Sequence, residues 1–432
     1  MGLIEASIPI FFALIALELV WARVRGDRVY RFADSISDLA CGTLSQLAGL
    51  FTKFLLLGIY ALLFDHARLQ LWLPVPEWPT GPVWLEGPQW PAIGAWTAAL
   101  VLGDFAYYWM HRLSHEVNVL WAGHVVHHSS EEYNLTVALR QSALHGLFTW
   151  VFYVPLALLG LPFALFATTY ALNLLYQFWI HTREVGHLGR AAEGVLNTPS
   201  HHRVHHGVNP QYQDTNYAGI FIIWDRLFGT FVPEREPVVY GLTKPLRSWN
   251  PVWANVHVFR DIAMGAWRAP SLRAAWRVIF GRPSEQEGAA EVLAAVQGVT
   301  PTTFEKFDPP AAPAVRWYVG VHFAVVLLAS VRLLQVAEGW PLSHAAAGVF
   351  YVGLTLANLG ALLESQRWAV TSELARLAAL GAAGGAMLAG FGAAPTWAGV
   401  ALVVGGLGSA GWLWRVRRHL DAPVQMAPAL MM

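Results

Sequence analysis

The chain has 432 residues, 55% of them hydrophobic and only 13% charged, with a formal net charge of zero. That charged fraction is about half of the ~25% usual in soluble domains, and with long apolar runs and 21 tryptophans it indicates a polytopic membrane protein. No basic excess favours nucleic acid, and the lone Cys41 excludes a disulfide framework and any cysteine-ligated zinc or iron–sulfur site.

A hydrocarbon core of ~30 Å requires about twenty apolar residues per spanning helix. The first candidate, 3–22, lacks a basic leader and a small-residue cleavage site, so it is expected to be a retained anchor rather than a signal peptide. Candidates at 36–64 and 92–110 follow. The apolar stretch 143–180 is long enough for two spans, and Pro155 and Pro162 supply a break. It reads either as a crossing pair or as a re-entrant hairpin. Four more candidates lie at 317–336, 345–363, 374–391 and 397–414, which gives nine spans or seven.

Arginines set the orientation. Arg23, Arg25, Arg28 and Arg31 follow the first span, and Arg415, Arg417 and Arg418 follow the last. Both clusters belong in the cytoplasm, which places the end of the third span, at His111, on that side too. The Trp-, Pro- and Gly-rich loop 65–91 is then expected outside, at the interface. Residues 252–279 mix Trp253, Phe259, Trp267 and Trp276 with Arg260, Arg268, Arg273 and Arg277, the pattern of amphipathic helices lying on the inner leaflet. The expected organisation is membrane helices over 1–90, a histidine-rich core over 91–250, an interfacial and linker segment over 251–313, and a four-helix membrane region over 314–432. The fold class is all-α, a membrane helical bundle.

Twelve of the 17 histidines fall between His111 and His206. Eight of them form His111-x-x-x-His115, His124-x-x-His127-His128 and His202-x-x-His205-His206, and His181 stands between the last two clusters. Residues three and four apart share a helix face, so each cluster aims imidazoles at one point. Neutral imidazole is the commonest side-chain metal ligand, and this many exceed the needs of one four-coordinate ion. Two metals at the cytoplasmic edge of the bundle are expected. Asp104, Tyr108, His111 and His115 share a helical stripe, so Asp104 is expected to accept a hydrogen bond from a ligating histidine; a salt bridge to Arg112 or Arg140 is its alternative. His187 and His201 read as non-ligands, and His145 as either a core residue or a ligand. Imidazole alone does not decide between zinc, iron and copper, but many histidines without cysteine suit a redox pair that keeps positions open for oxygen. Hydrolytic two-metal sites generally carry bridging carboxylates, and the nearby acids are few: Glu116, Glu131, Glu132 and Asp214, besides Asp104.

These clusters and their flanks resemble the fatty acid hydroxylase, or sterol desaturase, superfamily. The resemblance is carried by six stretches, 111–118 (His-Arg-Leu-Ser-His-Glu-Val-Asn), 124–131 (His-Val-Val-His-His-Ser-Ser-Glu), 133–142 (Tyr-Asn-Leu-Thr-Val-Ala-Leu-Arg-Gln-Ser), 173–182 (Asn-Leu-Leu-Tyr-Gln-Phe-Trp-Ile-His-Thr), 197–207 (Asn-Thr-Pro-Ser-His-His-Arg-Val-His-His-Gly) and 216–231 (Asn-Tyr-Ala-Gly-Ile-Phe-Ile-Ile-Trp-Asp-Arg-Leu-Phe-Gly-Thr-Phe). It covers roughly 95–245, and the flanks most resemble the subgroup that cleaves alkylglycerol ethers. It implies a membrane-embedded di-iron oxygenase using O2, with His111, His115, His124, His127, His128, His181, His202, His205 and His206 as ligands and Glu116 assisting. It implies a lipid substrate taken from the bilayer and an electron donor, tetrahydrobiopterin or a redox protein. Hydroxylation or desaturation of a fatty acyl, sterol or carotenoid chain is the alternative within the superfamily. A membrane metal-binding or transport protein is the alternative outside it.

Overall fold

The computed structural model describes residues 3–81, 83, 88–286, 288–390 and 395–420. Parts of the expected outer loop (82 and 84–87) and of the expected C-terminal region (391–394 and 421–432) lie outside them. Among the described residues the protein is all helix and loop, with two isolated β-bridges, Leu196 to Phe221 and Gly207 to Tyr240. The all-helical expectation holds.

Among the described residues, five helical segments are long and apolar enough to cross a membrane: Ala6–Arg25, Phe32–Leu71, Pro313–Val336, Leu342–Leu363 and Thr396–His419. The protein is an integral membrane protein. The first two segments contain helices α1 (Leu3–Arg25) and α2 (Phe32–Ala67). Helix α3 (Trp90–Glu116) has the length but is less apolar, because its second half turns polar from Asp104 onward. The 143–180 stretch breaks at Gly160–Pro162, as Pro162 led one to expect, whereas Pro155 is accommodated in the first turn of a short helix, Val154–Leu158. A short helical run over Gly146–Leu158 turns at Gly160 into α5 (Phe163–Trp179), after α4 (Asn118–His128). Thirteen helical residues extend at most about 20 Å, too short for a ~30 Å core, so this run does not cross as a full span. Gly160 has φ 72°, a left-handed conformation that favours glycine, and a Cβ there would also displace the Gln70 amide, 1.9 Å away.

The chain divides into two compact units. The first comprises Met1–Arg31, Ser45–Leu246 and Asn255–Lys306 and carries every histidine cluster. Its apolar core joins Tyr60, Ala99, Tyr153, Leu156, Leu161 and Phe166, with Tyr60 donating its hydroxyl to the Leu161 carbonyl at 2.7 Å. Helix α1 presents Leu17, Val20 and Val24 outward, as a lipid-facing helix does. Its Glu18 is nevertheless buried, where it accepts hydrogen bonds from Tyr30, from Thr182 and from the Leu135 amide. The N-terminal anchor is thereby tied to the segment that follows His181. After α6 (Pro199–His205) come α7 (Pro251–Arg268) and α8 (Leu272–Phe280), the expected amphipathic pair. They leave Trp267, Leu272 and Trp276 exposed, while Asn118 of α4 bonds the Val278 carbonyl at 2.8 Å.

The second unit comprises Phe32–Leu44, Arg247–Ala254 and Phe307–Met432. It is built on α9 (Pro313–Val336), α10 (Leu342–Leu363), α11 (Arg367–Leu388) and α12 (Thr396–Val416). Inside it, Glu373 takes two bonds from the Arg376 guanidinium, at 2.6 and 2.8 Å, one from Tyr318 Oη at 2.9 Å and one from Asn358 at 3.2 Å.

Candidate metal centre

The nine expected ligands come from four places in the chain. Helix α3 ends in His111 and His115, and α4 carries His124, His127 and His128. His181 follows α5, and His202, His205 and His206 sit on and just after α6. Pro199 starts α6 in the first-turn position that tolerates a missing N–H, which sets the two-turn helix carrying this cluster. All nine are buried.

The structure sorts them into two groups. His111, His115, His124, His128 and His205 form one, and His127, His181, His202 and His206 the other; within each, one ring nitrogen per residue lies within 4.8 Å of all the others. The clusters are shared between the groups. His127 parts from His124 and His128 of its own helix, and His205 parts from His202 and His206.

Hydrogen bonds fix several tautomers. The Nδ1 atoms of His111, His127, His181 and His205 contact the carbonyls of Tyr217 (2.7 Å), Arg140 (3.0 Å), Gln177 (2.7 Å) and Thr215 (2.9 Å). A carbonyl can only accept, so each Nδ1 carries the proton and each Nε2 presents a bare lone pair. His127 and His181 nevertheless meet Nε2 to Nε2 at 3.2 Å. Two lone pairs at that distance repel unless a cation sits against both. The Nε2 atoms of His115, His205 and His206 are buried without a hydrogen-bond partner, as is Nδ1 of His202. Burial also pushes the pKa of His127 down to about 4 and that of His205 down to about 3, so both imidazoles are neutral at physiological pH. This donor set fits a metal ion in each group.

One expectation needs correction. Asp104 touches no histidine. It accepts from Asn173 (2.6 Å), the amides of Ile220 (2.7 Å) and Phe221 (3.0 Å), and Trp224 Nε1 (2.9 Å). The backbone comes so close that a Cβ on Gly219 would lie 2.7 Å from Asp104 Oδ1. The acceptor for His111 is the Tyr217 carbonyl instead, and the salt-bridge alternative fails as well. Arg112 bonds Glu116 and Tyr108, and Arg140 bonds the Val126 carbonyl and Ser129. Glu116 stands outside both groups, its carboxylate paired with Arg112 at 2.9 Å and Arg282 at 3.4 Å. Glu132 is likewise paired, with Arg31, Arg183 and Lys306, and Glu131 with Arg31. His187 pairs with Glu193, His201 packs edge-on to Phe231, and His145 stacks near His124 without joining either group.

Sequence reasoning assigned no role to Asp225, which is fully buried and accepts the Tyr217 and Ala218 amides at 2.8 and 2.9 Å, nor to Glu18. Both were visible as single carboxylates inside apolar runs, where a charge needs a partner.

The family model for fatty acid hydroxylase matches residues 96–230, the part that contains all nine histidines. The chain is 36% identical to alkylglycerol monooxygenase of Xenopus tropicalis, 37% to that of Homo sapiens and 38% to that of Danio rerio. Each alignment covers 86% of this chain and 80% of the relative. No solved structure matches it.

Proposed function

The chain belongs to the fatty acid hydroxylase family and is a membrane oxidoreductase acting on lipids, and on that premise we propose that it is a di-iron monooxygenase cleaving alkylglycerol ethers. The observation that carries the metal reading is the opposed pair His127 and His181, whose Nε2 lone pairs only a cation reconciles. The alkylglycerol monooxygenase relatives support the substrate.

The five- and four-histidine groups would each hold one iron ion, and iron bound there would supply the redox chemistry that activates dioxygen toward an unactivated C–H bond. One oxygen atom enters the C–H bond beside the ether oxygen and the other leaves as water, with two electrons and two protons drawn from a donor. The product is a hemiacetal, which falls apart into a fatty aldehyde and a glycerol. We assign the electrons to tetrahydrobiopterin, with a redox protein as the alternative donor.

The protein contributes position and exclusion. Backbone carbonyls hold the imidazoles in the tautomer that offers Nε2, and burial keeps them neutral. The lipid tail approaches from the bilayer along 148–179, where Val151, Leu158, Leu159, Phe163 and Leu172 are exposed. The site faces the cytoplasm in this reading. The basic end of α1, with Arg23 and Arg25, is the end that Glu18 ties to Thr182, beside His181.

Iron analysis of the purified protein and turnover of a chain-labelled alkylglycerol with O2 and tetrahydrobiopterin test the reading. Bound iron, release of labelled aldehyde and loss of turnover in His127→Ala are expected. An active metal-free protein, or an unimpaired His127→Ala, overturns the metal reading. A hydroxylated acyl or sterol product without aldehyde overturns the ether substrate alone.

A further inference from the structure

Two of the five histidines in the larger group take their orientation from one short loop. The Thr215 carbonyl accepts from His205 Nδ1 and the Tyr217 carbonyl from His111 Nδ1. The residues interleaved with them, Asp214 and Asn216, are both left-handed, with φ of 56° and 54°. Asp and Asn adopt that conformation more readily than other residues with a side chain, and it persists where the surroundings hold it.

Two buried side chains impose it here. Asn216 donates to the carbonyls of His201 (3.0 Å) and Val232 (2.7 Å) and accepts from the Val232 amide (2.9 Å). Asp225 accepts the Tyr217 amide on one oxygen and the Ala218 amide on the other, and Thr230 adds a hydroxyl at 2.7 Å. The four-histidine group is oriented elsewhere, by the Gln177 carbonyl in the last turn of α5 and the Arg140 carbonyl.

We propose that Asp225 and Asn216 are positioning residues for the five-histidine group, acting through the carbonyls of 215 and 217, and that this group can lose its metal while the four-histidine group keeps its own. The inference rests on both groups holding metal. Asp225→Asn keeps the side-chain size but turns one acceptor into a donor facing a backbone N–H, so the loop must shift and carry both carbonyls with it. Loss of such an outer partner weakens metal affinity about 10- to 100-fold.

The test is iron per chain in the full-length protein, equilibrated with a series of defined ferrous iron concentrations and measured by elemental analysis, with circular dichroism as the folding control. Near the iron level that just saturates wild type, Asp225→Asn is expected to hold about half the wild-type metal, in line with that affinity loss. Added to His127→Ala it brings the content near zero, and added to His111→Ala it changes nothing further. If Asp225→Asn fails to fold, Asn216→Gly takes its place; glycine accepts the left-handed φ freely, so only the side-chain bonds are lost. Wild-type metal content in the folded variant, or equal loss from both groups, overturns the inference. A wild type that binds no iron overturns the metal reading itself, a separable outcome.

Discussion

His127 and His181 face each other through Nε2 atoms 3.2 Å apart, while the Nδ1 of each is committed to a backbone carbonyl. Neither ring can turn its protonated nitrogen toward the other without abandoning a buried carbonyl, a change costing about 1–3 kcal/mol. The arrangement is therefore strained without a cation and relaxed with one.

Metal removal should lower stability for this reason. An ion that binds only the folded state at a hundredfold excess over its Kd adds about 2.7 kcal/mol. Chelation of the purified protein is expected to lower the Tm by several degrees, with recovery on adding ferrous iron. His127→Ala removes one of the opposed lone pairs, so its chelated form should lose less than chelated wild type. Equal Tm with and without chelator would show that the histidines pack as a metal-independent core.

Asp104 supports stability rather than any histidine tautomer. Asp104→Asn leaves four converging donors with one carbonyl oxygen and an opposing amide, and each donor left without an acceptor costs about 1–3 kcal/mol. Gly219→Ala attacks the same contact from the backbone side, with a Cβ 2.7 Å from Asp104 Oδ1 and 2.8 Å from Asn173 Nδ2. Both variants are expected to unfold at lower temperature in detergent. Because the two changes meet at one contact, their combination should cost less than the sum of the singles. Additive losses would count against a shared clamp.

The histidines were legible because their spacing is a helical-face signal, and a face constrains direction before any tertiary structure is known. Their division into five and four was not legible. It depends on α6 meeting α3 and α4 so that His205 and His206 diverge, and no local periodicity encodes that. The error over Asp104 has the same origin. The stripe from Asp104 to His115 is real, but Asp104 and His111 are seven residues apart, about 10 Å along a helix, beyond hydrogen-bond reach. The carbonyls that orient the histidines carry no residue type to recognise. For the two carbonyls of 215 and 217, the polar side chains Asn216 and Asp225 that hold their loop are what the sequence shows.

Glu116 provides a contrasting case. It lies beside the first cluster in sequence, yet its carboxylate is taken by Arg112 and Arg282 at the rim. An i,i+4 pair in such a position contributes about 0.3–0.5 kcal/mol. Glu116→Gln is therefore expected to retain wild-type metal content and Tm within error, with turnover reduced less than tenfold. Loss of metal in this variant would restore a direct role for the carboxylate.

In the second unit the expectation is reversed, because its ion pair is buried. Glu373 is fully buried and Arg376 nearly so, on one face of α11. Removing one partner of such a pair leaves an uncompensated charge, at a cost of about 3–5 kcal/mol, whereas replacing both with apolar residues of similar volume is often near neutral. Glu373→Leu alone should lower the Tm markedly, and Glu373→Leu with Arg376→Met should recover most of the loss. Tyr318, Tyr351 and Asn358 keep that recovery incomplete, since each forfeits a bond to the pair. The histidine groups all lie in the first unit, so a rescued double variant with wild-type iron but no turnover would assign these helices a part in substrate or donor binding. Wild-type turnover would leave them the role of membrane scaffold.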